Sequence, residues 1–118
     1  MSKINYHIHT DAVKNNLIPK EISPSQKNTI YAEEADVLNV AIFGMTAKEW
    51  RENNPESKGN IRDYATINEL ICISNMENIN SVLINEGIPQ GDRLEKLNKI
   101  AIHQMNILEN SNNRHLLK

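Results

Sequence analysis

His7 and His9 stand two residues apart in "INYHIHT", and on an extended strand that spacing puts both imidazoles on one face. Two imidazoles on one face begin a metal site, but a site takes three or four ligands. The other histidines are distant in sequence: His103 in a helical pattern and His115 in a polar tail. No Cys-x-x-Cys or His-Glu-x-x-His spacing occurs, so no metal site is expected. Cys72 is the only cysteine and lies inside the apolar run "ELICIS", which suits a buried free thiol. A nucleophilic thiol needs a base and an activating environment, and neither is marked nearby. Glu33, Glu34 and Asp36 cluster where a helix begins, and the helix dipole accounts for them there. "ENNPESKGN" has one glycine and no preceding strand, so it is not a phosphate loop. No catalytic residue, no cofactor and no enzymatic activity are expected.

The remaining charged constellation is cationic. Lys48, Arg51, Lys58 and Arg62 fall within one short stretch and are candidate phosphate contacts. Glu49, Glu52, Glu56 and Asp63 are interleaved with them, and the formal net charge of the chain is −2. Nucleic-acid affinity rests on neutralised phosphates, so the chain alone is expected to bind duplex DNA weakly or not at all.

These residues need elements to hold them. The chain has 118 residues, a length that suits one domain. The expected fold is mainly α, a small bundle of four to six helices with at most a short N-terminal strand. The expected domain spans 1–110, and 111–118 form a flexible tail. The strand is the alternation Ile4, Tyr6, Ile8, followed by Thr10 or Asp11 as an N-cap before Pro19. "SPSQ" from Ser23 to Gln26 places Ser at N-cap, Pro at N1 and Gln at N3. A helix follows with Val37, Leu38, Ala41 and Ile42 on one face, Tyr31 beside them and Gly44 at its end. Thr46–Glu49 and Thr66–Glu69 are capping boxes around a Pro, Ser, Gly and Asn turn, a helical corner held by Phe43, Trp50 and Tyr64. From Thr66 the apolar spacing predicts five to six helical turns to Gly87, with Ser74 offering an internal cap and so a break. Pro89 opens the last helix, with a stripe of Leu94, Leu97, Ala101, Met105 and Leu108. The short "EGIPQG" connection makes the two long helices antiparallel neighbours. Phe43, Trp50, Leu70, Ile73, Leu83, Leu94, Leu97 and Ala101 are the expected core. Ile100, Met105, Ile107 and Leu108 widen the last stripe beyond one face, which marks them as a candidate interface and the chain as a candidate homodimer. No apolar run reaches the roughly 20 residues of a membrane span, and "MSKINYHIHT" lacks the continuous apolar core of a signal peptide. With a single cysteine, the expected location is cytoplasmic.

Three stretches carry a family resemblance: "KINYHIHTDAVKNNLIP", "YAEEADVLNVAIFGMTAKEWRENNPESKGNIRDYA" and "LICISNMENINSVLINEGIPQGDRLEKLNKIAIHQM". Together, from about Lys3 to about Leu108, they resemble the C-terminal region of bacterial KilA-N domain proteins, which are phage- and prophage-associated. The segment "FGMTAKEWR…NPE…KGNIRDYA" is the most specific part. The family's DNA-binding module would precede Lys3. The resemblance therefore implies an accessory domain that meets DNA through an attached or separate reader, and it transfers no catalytic residue.

Overall fold

The computed structural model describes the backbone of residues 17–117 and the side chains of 17–111. The alternating segment Ile4–Ile8, the Thr10 or Asp11 cap, His7 and His9 lie outside the described residues. Five α-helices and one 3₁₀ turn follow in order: α1 Pro24–Asn28, α2 Glu34–Phe43, α3 Ala47–Asn53, the turn Ile61–Tyr64, α4 Ile67–Asn85 and α5 Gln90–Leu117. Among the described residues there is no strand. The expected mainly α bundle is the observed fold.

Three helix starts are capped by side chains, while α2 begins after Glu33 with no side-chain cap. Ser23, Thr46 and Thr66 each accept a bond from the N3 amide, and Gln26, Glu49 and Glu69 bond back to the cap amide. These reciprocal bonds satisfy amides that the helix itself leaves without partners. A fourth box escaped the sequence reading. Asn60 accepts from the amides of Arg62 and Asp63, and Asp63 bonds back to the Asn60 amide, starting the 3₁₀ turn. Gly44 stops α2. After α4, the Ile88 amide reaches the Leu83 carbonyl at 3.1 Å, closing the helix end ahead of Pro89. No break occurs at Ser74: α4 runs 19 residues without interruption. α5 continues through 111–117, within the segment read as a tail.

α4 and α5 pack antiparallel, as paired bonds along their length show. Asn68 donates to Glu109 at 2.6 Å, and Asn75 donates to Gln104 at 3.2 Å. α2 lies across this pair. Its residues Val37 to Ile42 are all buried, so α2 is covered on every side rather than on the single face expected. The core joins Val37, Leu38, Val40, Ala41 and Ile42 to Cys72, Ile73 and Met76 of α4 and Leu94, Leu97, Ala101 and Met105 of α5. Leu17, Ile18 and Ile22 pack against it from the segment before α1. Asn98, wholly buried, ties that segment down. It accepts from the Ile22 amide at 3.0 Å and donates to the Lys20 and Ala41 carbonyls at 2.9 and 3.0 Å.

Of the expected core, Ile73, Leu94, Leu97 and Ala101 are buried, and Phe43 and Leu83 pack half-buried against it. Two expectations need correction. Leu70 is 44% exposed, because the buried side of α4 runs through Asn68, Cys72, Ile73, Met76 and Asn80 and leaves position 70 outside. Trp50 is half-buried and lies outside the main core cluster. It pairs with Tyr64 instead, ring centroids 5.3 Å apart.

Candidate functional site

Two surfaces answer to the sequence expectations: the cationic corner and the outer side of the α4–α5 pair. The corner is built around Arg51. Its guanidinium sits 4.9 Å from the Trp50 ring centroid and donates to the Ser57 and Gly59 carbonyls. A planar fork on an aromatic face suits this role, since it stacks and donates at once. Tyr64 donates to the Lys58 carbonyl at 2.7 Å from the other side of the loop. Gly59 holds φ +83°, and a Cβ there would meet the Asp63 carboxylate that closes the Asn60 box. Arg62 points inward: its Nε donates to Asn39 Oδ1 at 3.2 Å and its Nη2 to the Ala35 carbonyl at 3.3 Å. Ile61 beside it is buried, and Arg62 lines a cleft between α2 and α4 with Leu38, Glu77 and Ser81.

The four candidate phosphate contacts therefore divide. Lys48 and Lys58 are exposed. Arg51 donates to the loop carbonyls of Ser57 and Gly59, and Arg62 to the Asn39 side-chain oxygen and the Ala35 carbonyl, so both charges have acceptors within the chain.

The four candidate interface residues divide too. Met105 is wholly buried in the core and is not available to a partner. Ile100 and Leu108 pack half-buried against that core. Only Ile107 stands out, at 51% exposure. The spare apolar surface belongs chiefly to α4, a correction to the expectation that placed it on the last helix. Ile67 is 76% exposed, Ile71 42% and Val82 55%. Spaced along α4, they share its outward side with Asn75 and Asn78, also exposed. Two dents flank this face. A shallow cleft of about 490 Å³ is lined by Leu17, Thr66, Ile67, Asn68, Ile71 and Glu109, and a smaller one of about 120 Å³ by Asn75, Gln104, Ile107 and Leu108.

Arg93, Glu34, Glu69 and Cys72 are committed to structure. Arg93, 7% exposed, is ion-paired with Glu34 and donates to Asn80 Oδ1 at 2.8 Å and to the Ile88 carbonyl at 2.9 Å. Gln90 bridges Glu34 to the backbone of Tyr31. The Arg93 bond holds the Glu34 carboxyl down to about 2, against the opposing pull of burial. This network pins the start of α2 to the junction of α4 and α5, and the sequence reading missed Arg93, Asn80 and Asn98. Burial pushes the Cys72 thiol up to about 11, helped by the nearby Glu69 charge, so little thiolate forms at neutral pH. Burial likewise raises Glu69, partly offset by the bonds of its capping box. Among the described residues no group of three or more His, Cys, Asp or Glu is placed to hold a metal. Nor is any described helix long and apolar enough to cross a membrane.

Comparison with family models, with curated proteins and with solved structures finds no match to this chain.

Proposed function

We propose that this chain is a non-catalytic accessory domain of a phage-related DNA-binding protein of the KilA-N type, acting in protein interaction or self-association. The observation that carries the interaction reading is the set of exposed apolar side chains on α4. Ile67, Ile71 and Val82 stay in water there although the chain has a well-filled core elsewhere. Exposed apolar groups grouped on one element mark contact surfaces more often than scattered ones do. The KilA-N context rests on the resemblance of the three quoted stretches. It makes the domain a partner of a DNA reader, joined to it or separate from it, and linking two weak readers raises avidity by roughly 10²–10⁴ without any new base contact.

The second reading is auxiliary DNA contact through the corner. Exposed Lys48 and Lys58 favour it. It is the weaker one, because Arg51 and Arg62 have intrachain partners, three acidic residues stand between the cations and Asp63 follows them.

Sedimentation equilibrium of the chain at micromolar concentration tests the first reading, and a mass above the monomer that rises with concentration is the expected result. Titration of duplex DNA across a salt series tests the second. Submicromolar binding at physiological salt, lost when Lys48, Arg51, Lys58 and Arg62 are replaced, would transfer the function to the corner.

A further inference from the structure

We propose that the cleft beside Leu17, lined by Thr66, Ile67, Asn68, Ile71 and Glu109, is the docking site of the chain's own residues 4–16, which lie outside the described residues. The proposal goes beyond the interaction reading and does not depend on it. It assigns the Ile67–Ile71 end of α4 to the chain itself and leaves the Val82 and Ile84 end to a partner. The place where residues 4–16 join the bundle is fixed. Pro19 is buried, Leu17 and Ile18 pack against the core, and Asn98 holds the Lys20 carbonyl and the Ile22 amide. Leu17 is itself a wall of the cleft, so the residues before it start at the cleft's edge.

Reach and composition both fit. Ile67 and Ile71 are one helical turn apart, about 6 Å along the axis, and an extended chain advances about 3.3 Å per residue. Residues 4–16 therefore have length to spare. They carry Ile4, Tyr6, Ile8 and Val13, apolar groups to set against the exposed Ile67 and Ile71. Charge fits as well. The charged wall of the cleft is Glu109, oriented by the Asn68 amide at 2.6 Å. Glu69 adds to the negative field here: burial raises its carboxyl, and the Glu109 charge raises it further. Residues 4–16 bring Lys14, His7 and His9 against a single acid, Asp11. Lys14 is three positions from Leu17, within about 10 Å of the cleft's edge.

Tethering selects this occupant over a free one. A segment joined at the cleft's edge is present there at an effective concentration on the order of mM. A contact too weak to form between separate chains at micromolar concentration is then populated within one. The cleft also offers more than apolar area. Thr66, Asn68 and Glu109 stand beside Ile67 and Ile71, so a peptide docked there can place apolar side chains on the isoleucines and backbone amides or Lys14 on the Glu109 carboxylate.

Thiol reactivity tests this on the full chain. Native Cys72 is buried and does not interfere. Ile67→Cys is expected to react with a disulfide reagent more slowly than Val82→Cys, although Ile67 is 76% exposed and Val82 55%. A segment docked nine-tenths of the time slows the reaction about 10-fold. Adding Ile4→Ser, Tyr6→Ser, Ile8→Ser and Val13→Ser together is expected to restore the Ile67→Cys rate and to leave Val82→Cys unchanged, with the helical circular dichroism unaltered in both. The protection is expected to be the same at nanomolar and at micromolar chain concentration, because the contact is within one chain. Ile67→Cys reacting as fast as Val82→Cys would overturn the proposal, and so would protection that survives the serine changes. Protection that appears only at the higher concentration would give the cleft to a second copy, overturning the proposal while supporting self-association. Constant protection in a chain of monomer mass would uphold the docking and count against self-association. If Ile67→Cys alters the dichroism, Ile71→Cys reads the same cleft.

Discussion

Arg51 shows most directly how a charged residue can be structural. Its fork joins two loop carbonyls and stacks on Trp50, so its role depends on shape as well as charge. Arg51→Lys keeps the charge and loses the fork, and it is expected to destabilise the chain by about 1.5–3 kcal/mol, the scale of charge-assisted hydrogen bonds. Urea unfolding followed by Trp50 emission measures this, and an unchanged midpoint would mean that the stack and fork contribute nothing. Asn98 is the buried counterpart. Asn98→Ala strands the Ile22 amide and the Lys20 and Ala41 carbonyls, with an expected loss of about 3 kcal/mol in the same assay. Cys72, buried and with its thiol pushed up to about 11, is expected to react with a disulfide reagent only as fast as the protein opens. A full-speed reaction in the folded chain would contradict its burial.

At the scale of the element, capping boxes at Ser23, Thr46 and Thr66 mark where α1, α3 and α4 begin, and the sequence already announces them. Thr66→Ala is expected to cost about 1 kcal/mol. Ser23→Ala should cost less, because α1 buries no residue while α4 supplies a quarter of the core residues, Cys72, Ile73 and Met76. The junction of α2 with α4 and α5 has an acid sensitivity of its own. Glu34 titrates at about 2 in the folded chain, below its ordinary value of 4.5, because Arg93 donates to it. Its contribution is therefore fully present above pH 4.5 and is lost as the pH falls from 4.5 towards 2. The carboxylate is nearly half exposed, so solvent screening keeps the effect modest. Glu34→Gln is expected to flatten the fall in melting temperature between those pH values. An unchanged pH profile would assign the acid response to other carboxylates.

Across the whole molecule, three helices share the core, and Arg62 ties the 3₁₀ turn to α2 through Asn39 and Ala35. Gly91 is where α1 reaches α5: a Cβ there would lie 2.7 Å from the Lys27 carbonyl oxygen. Gly91→Ala is thus expected to push α1 off the bundle, which should appear as faster amide exchange from Ser23 to Thr29 with the core amides unaffected. Arrangement also governs what the surface can do. The exposed cations at the corner are two lysines among acids, whereas α4 exposes Ile67, Leu70, Ile71, Val82 and Ile84. Contact with another helix face therefore fits this surface better than contact with phosphate.

The starts at Ser23, Thr46 and Thr66, the stop at Gly44 and the antiparallel α4–α5 pair were legible in the sequence because they are local, whereas the Asn60 start and the extent of α5 were not. A capping box closes within four residues, and a short connection leaves few ways to turn. Fold class followed from the same signals. Burial was legible only in part, because a stripe of threes and fours on α4 fits more than one face. Leu70 and Cys72 are both apolar positions of that helix, and only the placement of α2 and α5 decides that Cys72 is inside and Leu70 outside. The site was less legible still. Arg51 and Arg62 look like free cations in a sequence, since carbonyl partners leave no mark on residue type. Arg93 and Glu34 meet across 59 positions, and Asn98 joins segments 76 to 78 positions apart. Such bonds follow from chain packing, which sets which polar groups lose water and must find one another. The outer face of α4 became a candidate for the same reason: Met105 fell inside, and the spare apolar surface fell on the neighbouring helix.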